Sequence, residues 1–233
     1  MIRNLIFSIF FFGGIIFVSL IFIPAFFLPR RITLFGGKIM GYWTGFCIKF
    51  FLSTKITIKG KENLINNKKF FIAASHQSMF ETFYLQTIFN SPIFILKKEL
   101  IMIPIFGWYL KKLGSISIQR NKISRDNLGF FDDIIENVKS TNQPLIIFPQ
   151  GTRVLPNERP SFKKGASRIY ENLKIPCQPV AINSGYVWPK NGAKYPGKTI
   201  TISILKPIDT GLNKDEFLRI LEKNIYSELD TIN

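Results

Sequence analysis

An α/β domain built on a central mixed sheet flanked by helices, preceded by an N-terminal hydrophobic membrane helix or helical hairpin, is the architecture this chain of 233 residues predicts. Three observations lead there. The chain opens on 26 residues without a charge, from Asn4 to Pro29. Beyond residue 53, short β-branched runs alternate with longer amphipathic segments, the pattern of strands crossed by helices. Several of those runs end in polar residues able to do chemistry, as strands of an open sheet do at a ligand crevice.

Residues 5–28 hold only Ser8, Gly13, Gly14, Ser19 and Pro24 among 19 strongly apolar residues, between Arg3 and the pair Arg30 and Arg31. As a helix they reach roughly 36 Å, enough to cross a hydrocarbon layer of about 30 Å with some tilt. A cleavable signal peptide is also apolar, but this run is longer than a usual signal core and ends in Pro-Arg-Arg, which favours a retained anchor. Residues 39–52 (IMGYWTGFCIKFFL) are again aromatic and nearly uncharged, yet too short to span. They can lie at the interface with Tyr42 and Trp43 at headgroup depth, or complete a hairpin dipped into one leaflet. Sequence leaves both open. Positive charge on the C-terminal side (Arg30, Arg31, Lys38, Lys49) places the body in the cytoplasm. The division expected is an anchor with an interfacial segment over 1–53 and a body over 54–233.

Within the body, 54–59 (TKITIK) alternates with period two. Residues 70–75, 92–96, 115–118, 145–148 and 179–182 are short apolar runs of the buried-strand kind, and 199–205 reads TITISIL. Helices are expected over about 80–90, 99–112, 124–139 and 163–173. A closing helix over 214–229 aligns Phe217, Leu218, Leu221, Ile225 and Leu229 on one face.

Composition removes several function classes. The two cysteines, Cys47 and Cys177, exclude a disulfide framework and a multi-cysteine zinc site, and the single histidine, His76, excludes a histidine-rich metal site. No metal is expected. The net charge is +16, with no acidic residue before Glu62. No zinc-finger spacing, RNP-like motif or basic heptad region points to nucleic acid. Beside an apolar anchor the charge reads as attraction to anionic headgroups, worth about 1 kcal/mol per well-placed basic residue. Nucleophile-elbow, phosphate-loop and dinucleotide fingerprints are all missing from the sequence.

Chemistry concentrates at strand ends. His76 follows FFIAAS, and Glu81 is the one carboxylate between Glu62 and Glu99. A carboxylate one helical turn beyond a loop imidazole can fold back to hold the Nδ1 proton, leaving Nε2 free to take a proton from a hydroxyl. Without a function, the same pair is a helix cap beside a satisfied histidine. The run 144–153 (PLIIFPQGTR) ends in Gly151, Thr152 and Arg153, offering close backbone approach, a hydroxyl and a guanidinium fork suited to phosphate. In isolation it is a tight turn with a solvated arginine. Arg120 closes GSISIQR, and Lys97 and Lys98 close a fourth run. One positively lined crevice would gather all of these.

Taken together, residues 76–81 (HQSMFE), 114–120, 148–153 (FPQGTR) and 178–182 (QPVAI) resemble, in order and spacing, the four blocks of the bacterial 1-acylglycerol-3-phosphate acyltransferase family of PlsC type, over about residues 55–210. The resemblance implies transfer of a fatty acyl group from acyl-carrier protein or coenzyme A to the 2-hydroxyl of lysophosphatidate, giving phosphatidate in phospholipid biosynthesis. It implies His76 as general base and Glu81 as its orienting carboxylate. Arg120, Gly151, Thr152 and Arg153 would bind the glycerol phosphate, with Gln150 reaching a substrate hydroxyl or holding Arg153, and 179–182 would shape the acyl or acceptor site. No cofactor is bound, since the thioester is a co-substrate. The partners are membrane lipids, lysophosphatidate and the thioester carrier, without nucleic acid, at a bacterial inner membrane with the catalytic domain facing the cytoplasm. Two departures stand out: the family's H-x4-D is H-x4-E here, and its Phe-Pro-Glu-Gly-Thr-Arg has Gln150 for the glutamate. They keep open another acceptor (a different lysophospholipid or a lyso-ornithine lipid) and an inactive lipid-binding protein.

Overall fold

Prolines set the first break in the chain. In the computed structural model, which describes residues 2–118 and 129–232, helix α1 (Ile2–Ile21) gives way to a short 3-10 turn over Ile23–Phe26 started by Pro24. Pro29 then sits at the N-cap of α2 (Arg30–Leu52) with φ −53°, the value its ring imposes and a helix start accepts. The anchor region is thus a helical hairpin. Of the two arrangements left open for residues 39–52, an interfacial segment or the second arm of a hairpin, the structure has the second, and the helix begins nine residues earlier, at Arg30. That continuity was hidden because the contact face of α2 is marked by glycines rather than by apolar residues.

The body follows as β1 (Lys55–Lys59), β2 (Phe71–Ala74), α3 (Phe80–Ile88), β3 (Ile93–Lys97), α4 (Lys98–Ile101), α5 (Phe106–Lys112), β4 (Ile116–Ile118), α6 (Phe130–Ser140), β5 (Leu145–Ile147), α7 (Gly165–Leu173), β6 (Cys177–Ile182), β7 (Thr199–Ile204) and α8 (Lys214–Ile232). One sheet orders them β1-β7-β6-β2-β5-β3-β4. Among the described strands the β6–β7 pair alone is antiparallel, so the sheet is mixed, as expected. The helix expected over 99–112 is two helices, because Pro104 cannot continue α4 and Ile105 adopts φ +62°. The first part of the helix expected over 124–139 lies outside the described residues.

Period-two alternation divides the central strands between two apolar layers. Phe71 and Ala73 of β2 and Leu145 and Ile147 of β5 meet Ile169 and Tyr170 of α7 and Phe217, Leu221, Ile225 and Leu229 of α8. Ile72, Ala74 and Ile146 face the opposite layer, with Phe80 and Leu85 of α3, Cys47, Ile48 and Leu52 of α2, and Phe7 and Phe11 of α1. The hairpin is therefore part of the sheet's second cover. Its N-terminal end is tied down where Arg3 bonds Phe51 O and Ser53 Oγ, Asn4 Nδ2 donates to Lys194 O at 3.2 Å, and Phe7 and Phe11 meet Trp188 edge-on.

Glycine spacing fixes how close α2 comes to α3. A Cβ on Gly37 would lie 2.5 Å from Gln86 Oε1, one on Gly45 2.7 Å from the Tyr84 ring, and one on Gly41 2.7 Å from both Phe83 O and Thr87 Cγ2. The Gly41 contact includes backbone, which cannot swing aside. Gly41→Val is expected to destabilise the protein by about 1–3 kcal/mol through overpacking. A thermal scan of the detergent-solubilised chain should then show a midpoint lower by roughly 2–10 °C.

Candidate active site

Three parallel strands bring the chemistry together. β2 lies between β5 and β6, so their C-terminal ends place residues 75–78, 148–154 and 183–185 side by side. Ser75 anchors the junction, since its Oγ donates to Ile182 O at 3.1 Å and accepts Ile182 N–H at 2.7 Å. His76 is then held through its main chain. Its N–H donates to Gln150 Oε1 at 2.9 Å, and its carbonyl accepts Val154 N–H at 2.9 Å. The imidazole stacks on Phe148 with ring centroids 4.0 Å apart and planes 16° from parallel. Both ends of the 148–154 turn thereby grip one residue.

Glu81 stands in the first turn of α3, fully buried. Its Oε1 accepts Gln77 N–H at 3.0 Å, Ser78 N–H at 3.1 Å and the Ser184 hydroxyl, while Oε2 accepts Ser78 N–H at 3.0 Å. Ser78 Oγ accepts Phe80 N–H at 3.1 Å, so Ser78 and Glu81 bond reciprocally with main-chain donors just before and at the start of α3. This carboxylate also faces the imidazole, with Oε2 3.7 Å from His76 Nδ1. The separation exceeds a hydrogen bond and suits an ion pair. Nδ1 is buried and has no hydrogen-bond partner among the described residues. Cap and chemistry, alternatives in the sequence, share one side chain here.

Gln150 is placed differently from expectation. It is only 1% exposed, and its side-chain oxygen is spent on the His76 main chain. It neither holds Arg153 nor opens toward a substrate. A neutral amide supplies the acceptor His76 needs without a second buried negative charge beside Glu81. Gly151 takes φ +75° in a turn closed by its own N–H to Phe148 O at 2.9 Å. Thr152 is exposed, and the half-buried Arg153 side chain makes no hydrogen bond or ion pair with the described residues. The bond from Val154 N–H to the His76 carbonyl keeps the turn that carries Thr152 and Arg153 next to His76. Arg120 lies outside the described residues.

Sequence reasoning missed Ser184, Gln77 and Gly185. Gln77 is fully buried and its Oε1 accepts Gly185 N–H at 3.0 Å, while a Cβ on Gly185 would come 2.9 Å from Gln77. The available signal was Asn183-Ser184-Gly185 directly after the apolar run 179–182, the polar strand end that had already drawn notice at His76 and Gly151. Cys177 offers no competing nucleophile, because complete burial pushes its thiol well above the ordinary range. The arrangement suits removal of a proton from the hydroxyl of an anionic substrate, with the imidazole as base and an arginine on the adjoining turn.

Residues 55–183 match the protein family described as Acyltransferase. The chain is 34% identical over 211 residues to a 1-acyl-sn-glycerol-3-phosphate acyltransferase of Saccharomyces cerevisiae, covering 86% of this chain and 69% of that one. A relative of the same name from Pseudomonas aeruginosa is 39% identical over 150 residues, covering 63% of this chain and 56% of that one. The crystal structure of the 1-acyl-sn-glycerophosphate (LPA) acyltransferase PlsC from Thermotoga maritima superposes with a TM-score of 0.76 over 100% of this chain and 98% of that one. At 22% identity, that likeness shows a shared fold.

Proposed function

This chain belongs to the acyltransferase family, and on that premise we propose that it moves a fatty acyl group from an acyl thioester to the 2-hydroxyl of lysophosphatidate, giving phosphatidate in phospholipid biosynthesis. One observation carries the reading: the chain's only imidazole is fixed at a strand end with Glu81 behind it and Arg153 on the turn that binds its carbonyl. His76 Nε2 takes the hydroxyl proton as the oxygen attacks the thioester carbonyl. The C–O bond forms, the C–S bond breaks, and the thiolate of coenzyme A or acyl-carrier protein leaves with the proton from the imidazolium. Glu81 stabilises the imidazolium between those steps, as a buried carboxylate does behind a histidine base. A thioester needs no enzyme-bound acyl intermediate for this, because its thiolate already leaves readily.

The hairpin brings this site to a lipid surface. Helix α1 is long and apolar enough to cross a membrane. Both of its ends nevertheless touch the same domain, at Ser53 and Lys194 on one side and at α5 on the other, where Tyr109 Oη donates to Ser19 O at 2.6 Å. The reading this supports is insertion into one leaflet of the cytoplasmic membrane, the active site on its cytoplasmic face.

Phosphate recognition is tested through Arg153. A charge-assisted hydrogen bond to phosphate contributes about 1.5–3 kcal/mol. Arg153→Ala should therefore raise KM for lysophosphatidate by roughly 10–100-fold and change kcat far less, with purified enzyme in mixed micelles and either thioester as donor. A wild-type preference for a phosphate-free lysolipid would defeat the reading. Gln150 does not favour such an acceptor, since its amide is turned to the His76 main chain.

A further inference from the structure

Hairpin helices are not the only elements that present apolar side chains to the outside. From α4 into the first turn of α5, Met102 is 77% exposed, Trp108 is 56% exposed, and Leu100 and Ile103 are exposed with them. The backbone holds them outward. Gly107 N–H donates to Ile103 O at 2.7 Å, and a Cβ at Gly107 would collide with Ile101 O, so only glycine lets this turn close. Ile105 at φ +62° is strained for a β-branched residue, and strain is retained only where the surroundings fix the loop.

This turn is bolted to the tip of the hairpin. Lys112 Nζ donates to Ala25 O, Phe26 O and Leu28 O at 2.6, 2.8 and 2.6 Å, satisfying the carbonyls that end the 3-10 turn. Arg30 Nη2 donates to Leu113 O at 2.6 Å. Phe26 stacks on Tyr109 at 4.6 Å and meets Trp108 edge-on at 5.6 Å. Phe27, next in the chain, is 91% exposed, and Leu20, Ile21, Ile23 and Leu28 around it are exposed too. Through Phe26 and Trp108 the outer surface of the tip continues onto Met102 and Ile103 without a polar gap in sequence on either side.

We propose that residues 100–108 form a third membrane-inserting element, entering the same leaflet as the α1–α2 tip and fixing with it the tilt of the active site over the lipid. The proposal rests on reading the hairpin as a single-leaflet anchor. Three features select lipid as the occupant. The patch is continuous with the anchor's apolar face, it carries a tryptophan at its edge, and exposed Lys97 and Lys111 flank it where anionic headgroups would lie. Glu99 is the one carboxylate among residues 82–125. A two-helix anchor alone would let the body pivot about the hairpin axis. A third contact off that axis removes the pivot, so His76 meets the 2-hydroxyl of a lipid at a set depth.

Site-specific probes test this, because Cys47 and Cys177 are fully buried and leave an introduced surface cysteine as the labelling site. Met102→Cys, Phe27→Cys and, at the other end of the sheet, exposed Asn142→Cys would each carry an environment-sensitive fluorophore in the full chain. Each is measured on vesicles of phosphatidylethanolamine and phosphatidylglycerol. Probes at 102 and 27 should both shift to the blue, and nitroxides high on the acyl chain should quench both roughly twofold more than deep ones, as expected for shallow insertion. The probe at 142 should stay in water. A water-exposed probe at 102 with an inserted probe at 27 overturns this inference and leaves the hairpin reading standing; both in water overturns both. A probe at 102 that is shielded from water yet untouched by lipid nitroxides is covered by protein, such as a second copy, which also overturns it.

Discussion

His76→Ala lowers kcat for acyl transfer to lysophosphatidate by about 10²–10⁴-fold, the range that a positioned general base contributes. KM for the acceptor should move little, since the proposed phosphate ligand, Arg153, is untouched. The substitution is clean because the bonds that shape the crevice use the main chain of residue 76. Gln150 Oε1 still receives its N–H, and Val154 N–H still reaches its carbonyl. Lost are the stack on Phe148, at a ring that is itself partly open, and the 3.7 Å approach to Glu81, whose carboxylate keeps its Gln77, Ser78 and Ser184 donors. Circular dichroism and thermal midpoint therefore stay close to wild type while turnover falls. Because the chain holds one histidine, no second imidazole can take over the proton. Turnover within a few-fold of wild type in this variant would end the base-catalysed account, whatever the family resemblance.

The strands were legible because their apolar runs are short, β-branched and bounded by polar ends, and all seven expected runs became strands of one sheet. What stayed hidden depends on contacts distant in sequence. The full length of α2 was obscured since Gly37, Gly41 and Gly45 make its contact face, and glycine carries no hydrophobic signal. At the site, His76, Glu81 and the 150–153 turn could be found as strand ends, each polar residue standing out after an apolar run. Ser184 and Gln77 could not. The bond from Ser184 to Glu81 joins residues 103 positions apart, and that from Gly185 to Gln77 joins residues 108 apart. Gln150 was expected at a substrate hydroxyl or on Arg153 because it lies within the motif that the resemblance assigns to the acceptor. A turn with φ +75° at the next residue reverses the chain, and the side chain before it is left inside.

Glu81 separates two roles that its position combines, and paired substitutions pull them apart. Glu81→Gln keeps the length of the side chain. The amide oxygen at the Oε1 position can still accept Gln77 N–H, Ser78 N–H and the Ser184 hydroxyl, and only the second Ser78 contact at Oε2 is lost, so stability falls by only about 1 kcal/mol. The negative charge 3.7 Å from Nδ1 is gone, however. Opposite charges about 4 Å apart at the edge of a protein attract by roughly 4 kcal/mol, which sets a ceiling near 10³-fold on the loss. Turnover should drop by about 10²–10³-fold once the imidazolium has no partner. Glu81→Asp, which restores the residue found in the wider family, does the reverse. It keeps the charge but draws the carboxylate back by one carbon–carbon bond, about 1.5 Å. The three donors that now converge on Glu81 cannot all follow, and leaving buried donors unpaired costs about 1–3 kcal/mol. Aspartate should thus unfold several degrees earlier while retaining turnover within roughly tenfold, since the charge still lies on the Nδ1 side of the ring. Measured together, kcat and thermal midpoint should rank the two variants in opposite orders. If both quantities fall in the same order, or if the glutamine variant turns over like wild type, Glu81 is a helix cap and His76 works without it.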